Sequence, residues 1–92
     1  MDSFLDLDEL VGDWTLIDVE RELVAGKRGS TRLGFALQLK FYGRSGRFPD
    51  GRSELSNDVI DFVARQVDVD PTVLAGYEWS SRAVRFHRSQ IR

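Results

Sequence analysis

The chain has 92 residues, of which 41% are hydrophobic and 30% charged, with no cysteine, one histidine and a formal net charge of −2. That makes one small domain and excludes a disordered tail, a disulfide framework and thiolate or His-rich metal sites. No apolar run approaches the ~18 residues of a membrane span, and the acidic start Met1-Asp2-Ser3-Phe4 is unlike a signal peptide, so a cytoplasmic location is expected.

Asp6-Leu7-Asp8-Glu9-Leu10-Val11 reads as a short acidic helix or turn, capped by Asp6 and ended by Gly12, inside an acidic lead-in over residues 1–14. Trp14 follows as a core residue. Thr15-Leu16-Ile17-Asp18 has the form of a capping box and predicts a helix from Leu16 to Ala25, with Leu16, Val19, Leu23 and Val24 as its apolar side. Gly26-Lys27-Arg28-Gly29-Ser30 is then a loop. Ser30 or Thr31 caps a third helix, Arg32 through Tyr42. Its apolar residues Leu33, Phe35, Ala36, Leu37, Leu39, Phe41 and Tyr42 cover most of the circumference, so it is expected at the centre. A strand of five or six residues is the competing reading. The unbroken length and the leucine and alanine content favour helix.

Three glycines and Pro49 predict a loop over residues 43–52. Ser56 or Asn57 caps a helix from Asp58 to Val67, amphipathic through Val59, Ile60, Val63, Ala64 and Val67. Asp70-Pro71 opens a short helix ending at Gly76. Tyr77 and Trp79 are core anchors, and Ser80 or Ser81 caps a last helix, Arg82 to Arg92. The fold class is all-α: a small bundle of five to six short helices with no convincing strand.

Charge alternates in blocks. Residues 1–20 hold seven acids and no base; residues 21–52 hold eight bases and two acids. Residues 53–79 hold six acids and one base, and residues 80–92 four arginines and no acid. Local patches rather than the total decide what binds. At about 100° per residue, Arg82, Arg85, Arg88 and Arg92 share an arc of about 120° on the last helix. Ala83, Val84, Phe86, His87 and Ile91 form the opposite side. One face is thus expected to be basic and to present guanidinium groups to phosphates or base edges. The alternative is a solvated end helix, or one docked on the acidic surface around Asp58 and Asp61. Lys27, Arg28, Arg32, Lys40, Arg44, Arg47 and Arg52 form a second, loop-rich basic block, and pairing of such blocks with the acidic ones inside the fold is the plainer reading. The P-loop spacing is absent. His87 reads as a core residue rather than a catalytic base, and the Asp58/Asp61 and Asp68/Asp70 pairs as a helix surface and a cap. No enzyme, cofactor or small-molecule site is expected from this chain.

The run Lys27-Arg28-Gly29-Ser30-Thr31-Arg32-Leu33-Gly34-Phe35-Ala36-Leu37-Gln38-Leu39-Lys40 resembles the N-terminal region of the Tn-three family of replicative transposases. Gly46-Arg47-Phe48-Pro49, Val63-Ala64-Arg65-Gln66-Val67 and Tyr77-Glu78-Trp79-Ser80 with Arg82, His87-Arg88 and Gln90-Ile91-Arg92 continue the likeness in order over residues 15–92. Thr31 and Tyr42-Gly43-Arg44-Ser45 depart from the family's habit. Length departs more: such transposases are many times longer and carry a catalytic acidic triad far downstream, so a fragment or a truncated reading frame is expected here.

The resemblance implies that residues 1–92 are a single helical DNA-binding domain helping to recognise the terminal inverted repeats of a transposon. Its partners would be double-stranded DNA and other transposase domains or subunits, with no membrane. Carried over to matched positions, the DNA-binding residues would be Lys27, Arg28, Arg32, Arg82, Arg85, Arg88 and Arg92. Leu33, Phe35, Leu37, Phe48 and Trp79 would be core. A helix-turn-helix pair formed by Pro71–Gly76 and Ser81–Arg92 would make the last helix the recognition helix. The competing reading is a protein-interaction module that uses the acidic segment Asp2–Glu20.

Overall fold

The structure, a computed structural model that describes residues 7–79 and 82–91, is built on one long helix. Among the described residues five α-helices occur in chain order: α1 (Leu7–Trp14), α2 (Asp18–Ala25), α3 (Gly29–Ser45), α4 (Asn57–Val67) and α5 (Arg82–Ile91). Short 310 segments at Arg52–Glu54 and Pro71–Gly76 punctuate the connections, and there is no strand among the described residues. All four other α-helices and the second 310 segment pack on α3. Leu33, Phe35, Ala36 and Leu37 of α3 are wholly buried, together with Val63 and Ala64 of α4. The centrality of this segment follows from its sequence: a helix that is apolar nearly all round has no solvent face to offer.

Boundaries differ from the sequence reading at several ends. Gly12 does not stop α1, because it keeps a negative φ. A glycine ends a helix by turning left-handed, and here burial of Trp14 against the edge of Phe41, ring centroids 6.4 Å apart, holds the next turn helical. Thr15 is not the cap of α2. Leu16 stays in the connection, buried, with its N–H donating to Oε1 of Gln66 at 2.8 Å, while Gln66 Nε2 donates to the carbonyl of Trp14 at 2.8 Å. One side-chain amide from α4 thus satisfies the α1–α2 link. The helix starts at Asp18, and Glu20 accepts the N–H of Ile17 at 2.9 Å. Val19 and Leu23, expected inside, face solvent.

Helix α3 begins and ends three residues beyond the expected limits. Neither Ser30 nor Thr31 caps it; Arg28 takes that position with no side-chain bond. Gly46 stops it in the left-handed region (φ 75°), its N–H returning to the carbonyl of Tyr42 at 2.8 Å. Ser56 caps α4 as read, its Oγ accepting the N–H of Val59 at 3.2 Å. Asp68, at φ 61°, ends α4 in the role glycine usually fills. Asp70 accepts the N–H and hydroxyl of Thr72, and Pro71 opens a segment that is 310 rather than α. The first member of the expected helix-turn-helix pair is therefore a six-residue 310 segment. The caps assigned to Ser80 or Ser81 lie outside the described residues.

Candidate nucleic-acid interface

Helix α5 lies on α3 through Val84, His87 and Ile91 at i, i+3 and i+7. Arg82 and Arg85 point to solvent. Their side chains make no hydrogen bond or ion pair among the described residues. Arg88 is different. Its Nε donates to Oε1 of Gln38 at 2.7 Å, its Nη2 donates to the carbonyl of Pro49 at 2.9 Å, and its guanidinium lies over Phe48, 5.1 Å from the centroid. Position 88 stands about 40° from Val84 around the helix and Arg85 about 100° from it, so Arg88 borders the buried side. Phe86, read from sequence as part of the apolar side, stands in solvent at 63% exposure. The uniform basic face is thus split: two arginines outward, one inward, and Arg92 outside the described residues.

The inward arginine joins a polar network inside the core. Gln38, completely buried, donates from Nε2 to Oη of Tyr77 at 2.7 Å, and that Oη lies 3.4 Å from Nδ1 of His87. The His87 ring meets the edge of Phe35 at 5.5 Å. Buried polar groups demand partners, and three segments far apart in sequence supply them here. The network fixes the rotation of α5 about its own axis, and with it the direction of Arg82 and Arg85.

Burial, helped by the nearby charge of Lys27, pulls the His87 imidazole below its ordinary value, while burial pushes the Tyr77 hydroxyl up to about 12 against the opposing effects of Gln38 and Arg88. A histidine depressed in the folded state binds its proton more readily when unfolded. Stability is therefore complete above the unfolded value near 6.5 and is lost as pH falls through it. On the alkaline side the unfolded tyrosine loses its proton first, so stability falls again above the ordinary value of 10.0. Denaturant midpoints measured from pH 5 to 11 are expected to show both limbs; a flat profile between pH 5 and 7 would contradict the buried neutral imidazole.

The first basic block separates similarly. Lys27 donates to Oε1 of Gln90 at 3.3 Å and lies over the Phe35 ring, 4.3 Å from the centroid. It therefore borders the C-terminal half of α5, and the two matched basic blocks meet there. Arg28 is exposed and unpaired among the described residues. Arg32 is structural: Nε donates to the carbonyl of Lys27 at 2.9 Å and Nη1 to that of Val67 at 3.0 Å, tying the start of α3 to the end of α4. Lys40 pairs with Glu20, Arg44 with Asp13 and Arg47 with Glu54, so acidic and basic blocks neutralise each other as the plainer reading expected. Asp58 and Asp61 are exposed on α4, away from α5, and no cluster of metal-ligating side chains occurs among the described residues.

Sequence reasoning missed Gln38 and Phe86. Gln38 gave one signal, a lone amide in an otherwise apolar run. Phe86 gave another: it lies about 40° from Arg82 and about 160° from Val84 around the helix, on the basic side.

The domain family described as "Domain of unknown function (DUF4158)" matches residues 1–92. The chain is also 35% identical over 86 residues to the transposase for transposon Tn501 of Pseudomonas aeruginosa, an alignment covering 92% of the chain. The chain spans about 9% of the length of that relative. No solved structure matches. No helix among the described residues is long and apolar enough to cross a membrane.

Proposed function

Because the chain belongs to the DUF4158 domain family, and is similar to a transposon transposase, we propose that it is a DNA-binding piece of a transposase of the Tn-three type. It acts in the cytoplasm on double-stranded DNA, recognising the terminal inverted repeats of the transposon. Catalysis belongs to parts of a longer protein outside these residues. The observation that carries the reading is the outward pair Arg82 and Arg85 on a helix whose rotation is fixed from inside by Arg88. Unpaired arginines on a rigid element suit phosphate contact and base-edge contact. Lys27, bonded to Gln90 on another flank of the helix, and the exposed Arg28 next to it in the chain add further positive charge.

Fluorescence anisotropy tests this, with labelled duplexes from the ends of the element against scrambled ones at two salt concentrations. Preference of about tenfold or more, equal to about 1.4 kcal/mol, together with a steep fall of affinity with salt, is the expected result. Equal, weak and salt-insensitive binding to both duplexes would defeat the reading.

A second reading has one observation in its favour. Ile17, Val19 and Leu23 are exposed around α2, beside the acids Asp18 and Glu22, which have no ion pair among the described residues. That face suits contact with another transposase domain or subunit and would leave little salt-dependent DNA affinity behind it.

A further inference from the structure

Phe86 is a large ring left in water on a helix whose other large apolar groups, Val84 and Ile91, are turned toward α3. Its neighbours one turn away in sequence are Arg82, Ala83, Ser89 and Gln90, with Arg85 adjacent in the chain. The four polar ones, Arg82, Arg85, Ser89 and Gln90, are exposed. Residues 80–92 contain no acid. The centre of a protein–protein interface gathers further apolar groups around an aromatic anchor. Among the described residues no second large apolar group stands on this face. What surrounds the ring is cationic and hydrogen-bonding, which complements a polyanion carrying apolar groups at intervals. The major groove of DNA has that character: phosphates on both rims and thymine methyl groups on its floor.

We infer that Phe86 is a sequence-reading residue, its ring contacting thymine methyl groups in the major groove while Arg82 and Arg85 hold phosphates. This rests on the DNA-binding reading above. The ring suits the role because its helix is anchored from behind. The Gln38–Arg88 and Arg88–Pro49 bonds, 2.7 and 2.9 Å, fix which way position 86 points. Arginines alone would place the domain on DNA without distinguishing A·T from T·A, and the thymine methyl is the one apolar mark that does.

The test starts from the 92-residue chain and a randomised duplex pool, from which the wild type selects a preferred sequence. Each thymine of that duplex is then replaced in turn by deoxyuridine, which removes only the methyl group. The wild type should lose about fourfold in affinity at one or two positions, the worth of one buried methyl. Phe86→Ala should bind the thymine and deoxyuridine duplexes equally at those positions. Its salt slope should be unchanged and its thermal midpoint within about 2 °C of wild type, since the exposed ring holds nothing in the fold. Phe86→Leu should restore part of the methyl sensitivity. The inference is overturned if Phe86→Ala keeps the wild-type response to deoxyuridine, or if the wild type ignores every methyl. It is equally overturned if Phe86→Ala leaves DNA binding intact and abolishes self-association seen by sedimentation, which would assign the ring to a protein contact. If the wild type binds no duplex at all, the DNA-binding reading falls first and this one with it.

Discussion

Arg82→Glu/Arg85→Glu is expected to weaken duplex binding by more than about 100-fold and to reduce the slope of log affinity against log salt by about 2, one phosphate contact per arginine. Both side chains are exposed and unpaired among the described residues, so the thermal midpoint should stay within a few degrees of wild type. Arg88→Glu is expected to behave in the opposite way. It leaves Oε1 of the wholly buried Gln38 and the carbonyl of Pro49 without their donor, and it sets a carboxylate against two acceptors. Losing a charged hydrogen-bonding partner in the interior costs about 3 kcal/mol, which in a domain of this size lowers the midpoint by more than about 10 °C. Circular dichroism melts and anisotropy titrations on the same two proteins separate the roles. Wild-type affinity in the Arg82→Glu/Arg85→Glu protein would remove α5 from the interface and leave Lys27 and Arg28 as the basic surface to examine.

The different fates of the α5 arginines explain what could and could not be read from sequence. Local signals were legible. Ser56 and Asp70 each cap through a side-chain oxygen two or three residues from its partner, and the apolar run 33–41 is central. The inward turn of Arg88 depends on Gln38 and Pro49, 50 and 39 residues away, and nothing in the helix itself announces them. A guanidinium on a flexible stem at the border of a buried side can go either way, and the fold decides. The tie that Arg32 makes between α3 and α4 is hidden from the sequence for the same reason, since its carbonyl partner on Val67 is 35 residues distant. Phe86 failed differently. Its hydrophobicity suggests the core, but the helical period sets the ring about 40° from Arg82, at the edge of the basic arc. Leu23 and Val19 fail for another reason: they do share an arc of α2, about 40° apart, but the fold turns only Val24 of that helix inward.

The same interior network makes one methyl group decisive. Gly34 lies on α3 directly beneath the Tyr77 ring, and a Cβ there would fall inside the van der Waals contact distance of three ring atoms. Three contacts hold the ring in place. Its Oη is bonded to Gln38 at 2.7 Å, its face lies parallel to His87, and Trp79 meets it edge-on with centroids 4.9 Å apart. In mid-helix, alanine should by itself be worth about 1 kcal/mol more than glycine. The clash outweighs this, because overpacking a closed core costs about 3 kcal/mol and displacing Tyr77 also breaks the bond to Gln38. Gly34→Ala is therefore expected to lower the midpoint by about 10 °C or more. Gly43→Ala, in the same helix, meets open space at a negative φ and should raise stability by about 0.5–1 kcal/mol. The pair isolates the contact from helix propensity, which is common to both sites. If both substitutions stabilise, Tyr77 is not seated on α3, and the buried chain from Gln38 through Arg88 that aims α5 outward loses its foundation.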